Sequence, residues 1–384
     1  MLKNTKKMTC LLLCMALVGG CASTSAVSYT QSPEISAIEA LPQIEPDEID
    51  TDLNDEPESY EDEHLINGDA IPTRIDAAEK IKEAPYPYYE DCDQPGSLSY
   101  FDYDTYDYDG TGQPEKKYAV IYTPYGYDPS QPYDIFYLMH GVSGYAEIFL
   151  GSPEEPTSMK NCIDHLIEEG SVNPMIIVCM TYYDHNEEEF NDNEDADITK
   201  AFSQEFKNDL MPAVESSYST YAASTDPADL IASRDHRIFG GFSMGGVTTW
   251  YAFMQSMAYC RYYLPISGML YWGPDAGKQE RDEPAWAGTL LANALTAQGY
   301  TKNDFYIYTA TGGYDEAKPL LEDQIRSMEM QSDTFIFGSS SDDGYNCTYG
   351  YSEYEEHSWQ AVFQYLYNAL PILSRKINTR TSLN

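Results

Sequence analysis

From about residue 84 onward, short and wholly apolar runs alternate with longer segments of helical spacing. Ile135–Met139 and Met175–Met180 are continuous apolar stretches of strand length, the pattern of strands covered on both faces. Ile238-Phe239, Tyr263–Ile266 and Phe305–Thr309 add three more strand candidates. Between them, Phe206–Tyr218 carries helical spacing, with Pro212 placed to kink or restart it. Another helix is expected after Ser243, and a closing one over Trp359–Leu370, stopped by Pro371. Upstream, Leu98–Tyr108 alternates aromatic residues with aspartates, Asp109-Gly110 offers a turn, and Tyr118–Tyr122 resumes an extended run. That pattern predicts a hairpin. Strands alternating with helices predict an α/β fold: a mostly parallel central sheet with helices on both faces.

The first 83 residues follow no such pattern. Lys3, Lys6 and Lys7 precede an apolar stretch, Met8–Val18, too short to span a bilayer. Val18-Gly19-Gly20-Cys21 resembles a bacterial lipobox, so residues 1–21 are expected to be a lipoprotein-type signal peptide with Cys21 as the lipid anchor. Residues 22–83 are rich in Glu, Asp, Pro and Ser, with neither Lys nor Arg between Cys21 and Arg74. Such a chain buries too little apolar surface to offset its ordering entropy, and its like charges extend it. A disordered acidic linker is expected, with short helical turns around Ile75–Lys82, followed by one domain over 84–384.

Composition narrows the partners. Asp and Glu number 63 against 22 Lys and Arg, a formal charge of −41. That surface repels phosphate backbones and anionic lipid, so nucleic acid is excluded and membrane contact is left to the anchor at Cys21. The 35 tyrosines are an unusual number; they are read as packing the core and strands, with platforms for sugar or aromatic rings as the alternative for some of them. Beyond the targeting segment, Cys92, Cys162, Cys179, Cys260 and Cys347 are widely spaced and include no CxxC pair, so a zinc site of that type has no support. The acidic stretch Asp184–Asp197 is a candidate calcium loop.

The chemistry centres on Gly241-Phe242-Ser243-Met244-Gly245, a G-x-S-x-G pentapeptide between a strand candidate and an apolar helix candidate. The flanking glycines give the serine room on a sharp turn. A serine hydroxyl needs a base. Of six histidines, His357 is the one that lies downstream of both the serine and a suitable acid. Asp315, just past the strand Phe305–Thr309 and a run of small residues, is the preferred acid, with Glu316 the alternative. The oxyanion hole would use the backbone N–H of Met244 and one from the loop His140-Gly141-Val142-Ser143-Gly144, with Val142 preferred and Gly141 the alternative.

Together, Tyr137–Gly141, Phe239–Gly246, Thr309–Asp315 and His357-Ser358-Trp359 resemble the esterase D-like branch of α/β-hydrolases, and more narrowly the feruloyl and acetyl-xylan esterases of carbohydrate esterase family one. The resemblance covers about residues 90–375. It implies the triad Ser243, Asp315 and His357, no metal or other cofactor, and ester-linked ferulate or acetate on plant xylan as substrate. Trp272 and His140 are the candidate substrate-binding residues. A surface-anchored bacterial esterase acting on plant cell-wall polysaccharide is the leading expectation. A siderophore, thioester or general carboxylesterase, or a non-catalytic surface binding module, are the alternatives.

Overall fold

The computed structural model describes residues 65–66, 69–70, 78–183, 195–270, 286–339 and 344–382. The signal segment with Cys21, most of the linker, residues 184–194 of the candidate calcium loop and Trp272 lie outside that set.

Nine strands build the main sheet: β1 (Ala78–Lys80), β2 (Ser97–Tyr106), β3 (Pro114–Thr123), β4 (Asp134–Met139), β5 (Met175–Met180), β6 (Arg237–Phe242), β7 (Tyr262–Ile266), β8 (Tyr306–Tyr314) and β9 (Cys347–Glu356). Their spatial order is β1-β9-β8-β7-β6-β4-β5-β3-β2. All pairings are parallel except β2 with β3 and β3 with β5, which are antiparallel. Leu65–Ile66 and Asp69–Ala70 form a separate antiparallel pair. The helices described are α1 (Ser158–Glu168), α2 (Asp195–Glu205), α3 (Met211–Ser217), α4 (Pro227–Ala232), α5 (Met244–Gln255), α6 (Trp286–Ala297), α7 (Lys318–Glu329) and α8 (Trp359–Thr381).

The continuous apolar runs have the burial their pattern predicts. Every residue of β4 and β5 is buried. Alternation divides their side chains between two cores. Phe136 and Leu138 enter one core with Ile163 of α1 and Leu366 of α8. Ile135, Tyr137 and Met139 enter the other with Phe202 of α2, Val214 of α3 and Phe253 of α5. Helices therefore cover both faces, as expected.

Charge is buried where the sheet needs fixing. Arg237, at the start of β6, is fully buried and grips Glu215 of α3 through Nε to Oε1 at 2.5 Å and Nη2 to Oε2 at 2.8 Å. The Tyr137 hydroxyl donates to the same carboxylate at 2.9 Å. This cluster ties the strand that ends at Ser243 to the helical layer beneath it.

The hairpin forms with Asp109-Gly110 inside its turn, and the Asp107 carboxylate at the turn's start accepts from the Gly110 and Thr111 amides. Two local expectations, the helical turns around Ile75–Lys82 and the stop at Pro371, are corrected. Residues 78–80 are a strand, not helical turns, and pair in parallel with β9. Ile81 is also buried, and its N–H donates to Tyr351 O at 2.9 Å, so residues 78–81 pack with the sheet. Pro212 does restart a helix, through a π-helical turn at Phe206–Leu210 that widens the ladder where the proline ring would otherwise strike a carbonyl. Pro371 does not stop α8, which runs on to Thr381. Burial of Ile372, Leu373 and Ile377 continues the apolar stripe beyond the proline and outweighs its missing N–H. The five cysteines among the described residues are all free.

Candidate active site

Ser243 sits between β6 and α5 with φ 56° and ψ −117°. For a residue with a β-carbon that conformation costs about 1–3 kcal/mol and needs a surrounding structure that enforces it. Glycines allow the enforcement. A Cβ on Gly241 would lie 2.5 Å from the Gly245 carbonyl carbon, and one on Gly245 would run into the Met139 carbonyl. Ser243 N donates to Ile266 O at 2.9 Å, which holds the elbow against β7. The N–H of Met244, first residue of α5, has no acceptor within its own helix and adds the positive end of the helix dipole beside Ser243.

Three segments distant in sequence meet at the serine hydroxyl. His357 follows β9 directly and precedes Ser358, the N-cap of α8, whose hydroxyl accepts from Ala361 N at 3.2 Å. His357 Nε2 lies 2.8 Å from Ser243 Oγ, and its Nδ1 lies 2.8 Å from Asp315 Oδ1. Asp315 follows β8, with its amide donating to Gly312 O at 3.3 Å and its Oδ1 accepting from Ala317 N at 2.8 Å. Burial is the largest influence on this carboxyl and pushes its pKa up. Hydrogen bonds from His357 and Ala317, with the His357 charge, outweigh it and hold the pKa below the ordinary value. An ionised Asp315 favours the tautomer in which Nδ1–H donates to the carboxylate and Nε2 accepts from the serine.

The loop after β4 closes on the same point. Gly144 N donates to Gly141 O at 3.0 Å in a tight turn, with Ser143 at φ 58°. Gly141 packs so closely on the nucleophile that a Cβ there would fall 2.9 Å from Ser243 Cβ. Both segments that were expected to supply oxyanion amides, through Met244 and Val142, therefore flank Ser243.

His140 does not lie where substrate could touch it. It is fully buried, Nδ1 is 2.7 Å from Gly141 O, and Nε2 is 2.8 Å from Thr181 Oγ1. Burial lowers its pKa to about 4, so the ring is neutral, donating from Nδ1 to the carbonyl and accepting the Thr181 hydroxyl. The expected substrate contact is replaced by a grip on the turn that carries Gly141 and Val142. His236 and His165 are likewise engaged elsewhere, with Asp134 and the Glu90 carbonyl.

Two neighbours of the site were not among the expected site residues. Ser267, buried at φ 48° just after β7, is tied to β8 by its N–H, which donates to Ala310 O at 2.9 Å. Trp359 packs edge-on against Phe242 at 5.1 Å and against Phe149 at 5.6 Å, and its ring lies beside Gly141. A serine after a strand carries no signal of its own, and the motif His357-Ser358-Trp359 does not by itself say that the tryptophan ring packs beside Ser243.

A mostly parallel sheet with a strained serine at a strand-to-helix elbow, and an imidazole and a carboxylate in line behind it, defines an α/β-hydrolase of the serine type. Comparison with known proteins agrees. The family model Esterase, described as "Putative esterase", matches residues 113–370. The chain is 35% identical over 298 residues to endo-1,4-beta-xylanase Y of Acetivibrio thermocellus, a match covering 78% of this chain and 25% of that relative's own length. Among solved structures, the feruloyl esterase module from Clostridium thermocellum complexed with sinapinate is 32% identical, with a TM-score of 0.64, over 78% of this chain and 95% of the module. The CE1 ferulic acid esterase of Anaeromyces mucronatus shares the fold at 18% identity and a TM-score of 0.52, over 76% of this chain and 97% of its own. The chain belongs to the Esterase family, and its fold is similar to those of solved feruloyl esterase structures.

Proposed function

We propose that this enzyme removes feruloyl groups, and acetyl groups as the secondary acyl class, from plant cell-wall xylan, with Ser243, His357 and Asp315 as its triad. The observation that carries the reading is the unbroken relay from Asp315 Oδ1 through His357 to Ser243 Oγ, each link 2.8 Å. The 32% identity to a module that binds sinapinate, an aromatic acid, favours an aromatic acyl group.

Ser243 Oγ attacks the ester carbonyl carbon as its proton passes to His357 Nε2. The amides of Met244 and Val142 stabilise the oxyanion. The bond to the sugar oxygen then breaks, and His357 returns its proton to that departing oxygen. Water, deprotonated by His357, attacks the acyl-enzyme. Ser243 leaves with a proton from His357, and the acid is released. Asp315 stays ionised throughout and fixes the ring. Cys21 would hold the enzyme at the bacterial cell surface by a lipid, with the acidic linker as spacer. Among the described residues no helix is long and apolar enough to cross a membrane.

Mass analysis of the acids released from arabinoxylan tests the substrate. Ferulate in excess over acetate is expected; release of neither acid would overturn the xylan reading. Cys21→Ser should free the protein from membranes, and continued retention would contradict the anchor.

A further inference from the structure

β8 and β9 outrun the rest of the sheet. β7 ends at Ile266, opposite Ala310, yet β8 continues through Thr311 to Tyr314 and β9 through Tyr351 to Glu356. The register shifts between Gly312 and Tyr314, where Tyr314 comes to face Glu356. This two-stranded projection rises at the sheet edge where the triad loops converge. Tyr314 immediately precedes Asp315, and Tyr354 lies three residues before His357.

Side chains alternate sharply there. Asp315 turns inward and is 3% exposed, whereas Tyr314 and Tyr354 are 68% and 70% exposed. Their ring centroids are 6.3 Å apart, so the two form one aromatic surface. Leaving two large rings in water beside a catalytic relay does nothing for the core. Each offers a broad apolar face with a polar tip, suited to the C–H face of a pyranose ring. The flanking charges select the occupant. Glu353, Glu355 and Glu356 crowd the projection, and Glu355 is pushed above its ordinary pKa by burial and by the Glu83 and Glu356 charges. Carboxylates of this density accept sugar hydroxyls and repel anionic chains.

We infer that Tyr314 and Tyr354 form a stacking platform for a neutral pyranose chain, holding the polysaccharide that carries the scissile ester. The inference rests on the reading of Ser243 as a nucleophile toward glycan-linked esters. It assigns the projection a role in recognising the chain rather than the acyl group.

The Tyr314→Ala/Tyr354→Ala double variant separates the two claims. Both side chains are exposed, so the fold should survive, and Tyr→Phe versions retain the rings as controls. Titration of xylohexaose, which carries no ester, should show about tenfold weaker binding for the Ala variant, with the Phe variant close to wild type. In kinetics, kcat/KM on a feruloylated xylo-oligosaccharide should fall about tenfold relative to that on methyl ferulate. Equal xylohexaose affinity in wild type and Ala variant, or a parallel change on both esters, would overturn the platform. Failure of the wild type on both esters, with xylohexaose binding still lost in the Ala variant, would overturn the esterase reading and leave the platform standing.

Discussion

His140 is the residue whose perturbation has the most distinctive signature. Its ring is fully buried and neutral, with a pKa lowered to about 4 from an ordinary 6.5. Between those values the unfolded chain binds a proton that the native imidazole refuses. Stability therefore falls as pH drops from 6.5 toward 4, and this group contributes no slope above that window. At about 1.4 kcal/mol per pH unit, the full window is worth about 3 kcal/mol. His140→Asn keeps a polar side chain but cannot titrate. Urea unfolding of wild type and variant across pH 4 to 8 isolates the contribution, because the other titrating carboxyls, such as Asp109 with its pKa raised to about 7, cancel in the difference. The gap between the two stability curves should close by about 3 kcal/mol from neutral to acid pH. Parallel curves would refute a neutral buried His140. Catalysis supplies a second readout. If His140 holds the Gly141 carbonyl and so aims the turn amides, kcat at neutral pH should drop by about 10²-fold, the scale of one misplaced oxyanion donor. A loss of stability with kcat intact would reduce His140 to a packing residue.

Other substitutions probe the remaining supports. Asp315→Asn removes the acceptor that fixes the His357 tautomer, and kcat should fall about 10⁴-fold, measured on an aryl ester; a loss below tenfold would remove Asp315 from the relay. Glu215→Ala strands the buried Arg237 guanidinium without its carboxylate and should cost about 3–5 kcal/mol in urea unfolding. A cost below about 1 kcal/mol would mean that water or another group replaces the carboxylate.

Much of the frame was legible because its residues carry their own signal. The continuous runs Ile135–Met139 and Met175–Met180 can be satisfied only between two layers, and they lie in the middle of the sheet. The triad candidates were legible through order along the chain: an elbow serine, an acid after a strand, and one downstream histidine. Other features depend on what a segment meets in space. Ala78-Glu79-Lys80 has no apolar pattern, and its strand exists through backbone pairing with β9. β9 itself, reading Cys-Thr-Tyr-Gly-Tyr-Ser-Glu-Tyr-Glu-Glu, is buried at one end and wet at the other, which blurs both periodicities. Pro371 argued for a helix end, and tertiary burial overrode it. His140 resembled a site residue because of its neighbours, and Thr181, distant in sequence, decides its role.

The central claim is that Ser243, activated by His357, is the nucleophile. A fluorophosphonate probe followed by peptide mass analysis tests it directly. The account predicts one covalent adduct, on the peptide containing Ser243, abolished by Ser243→Ala and slowed at least 10³-fold by His357→Ala. An adduct on another serine, or ester hydrolysis that persists in Ser243→Ala, would contradict it.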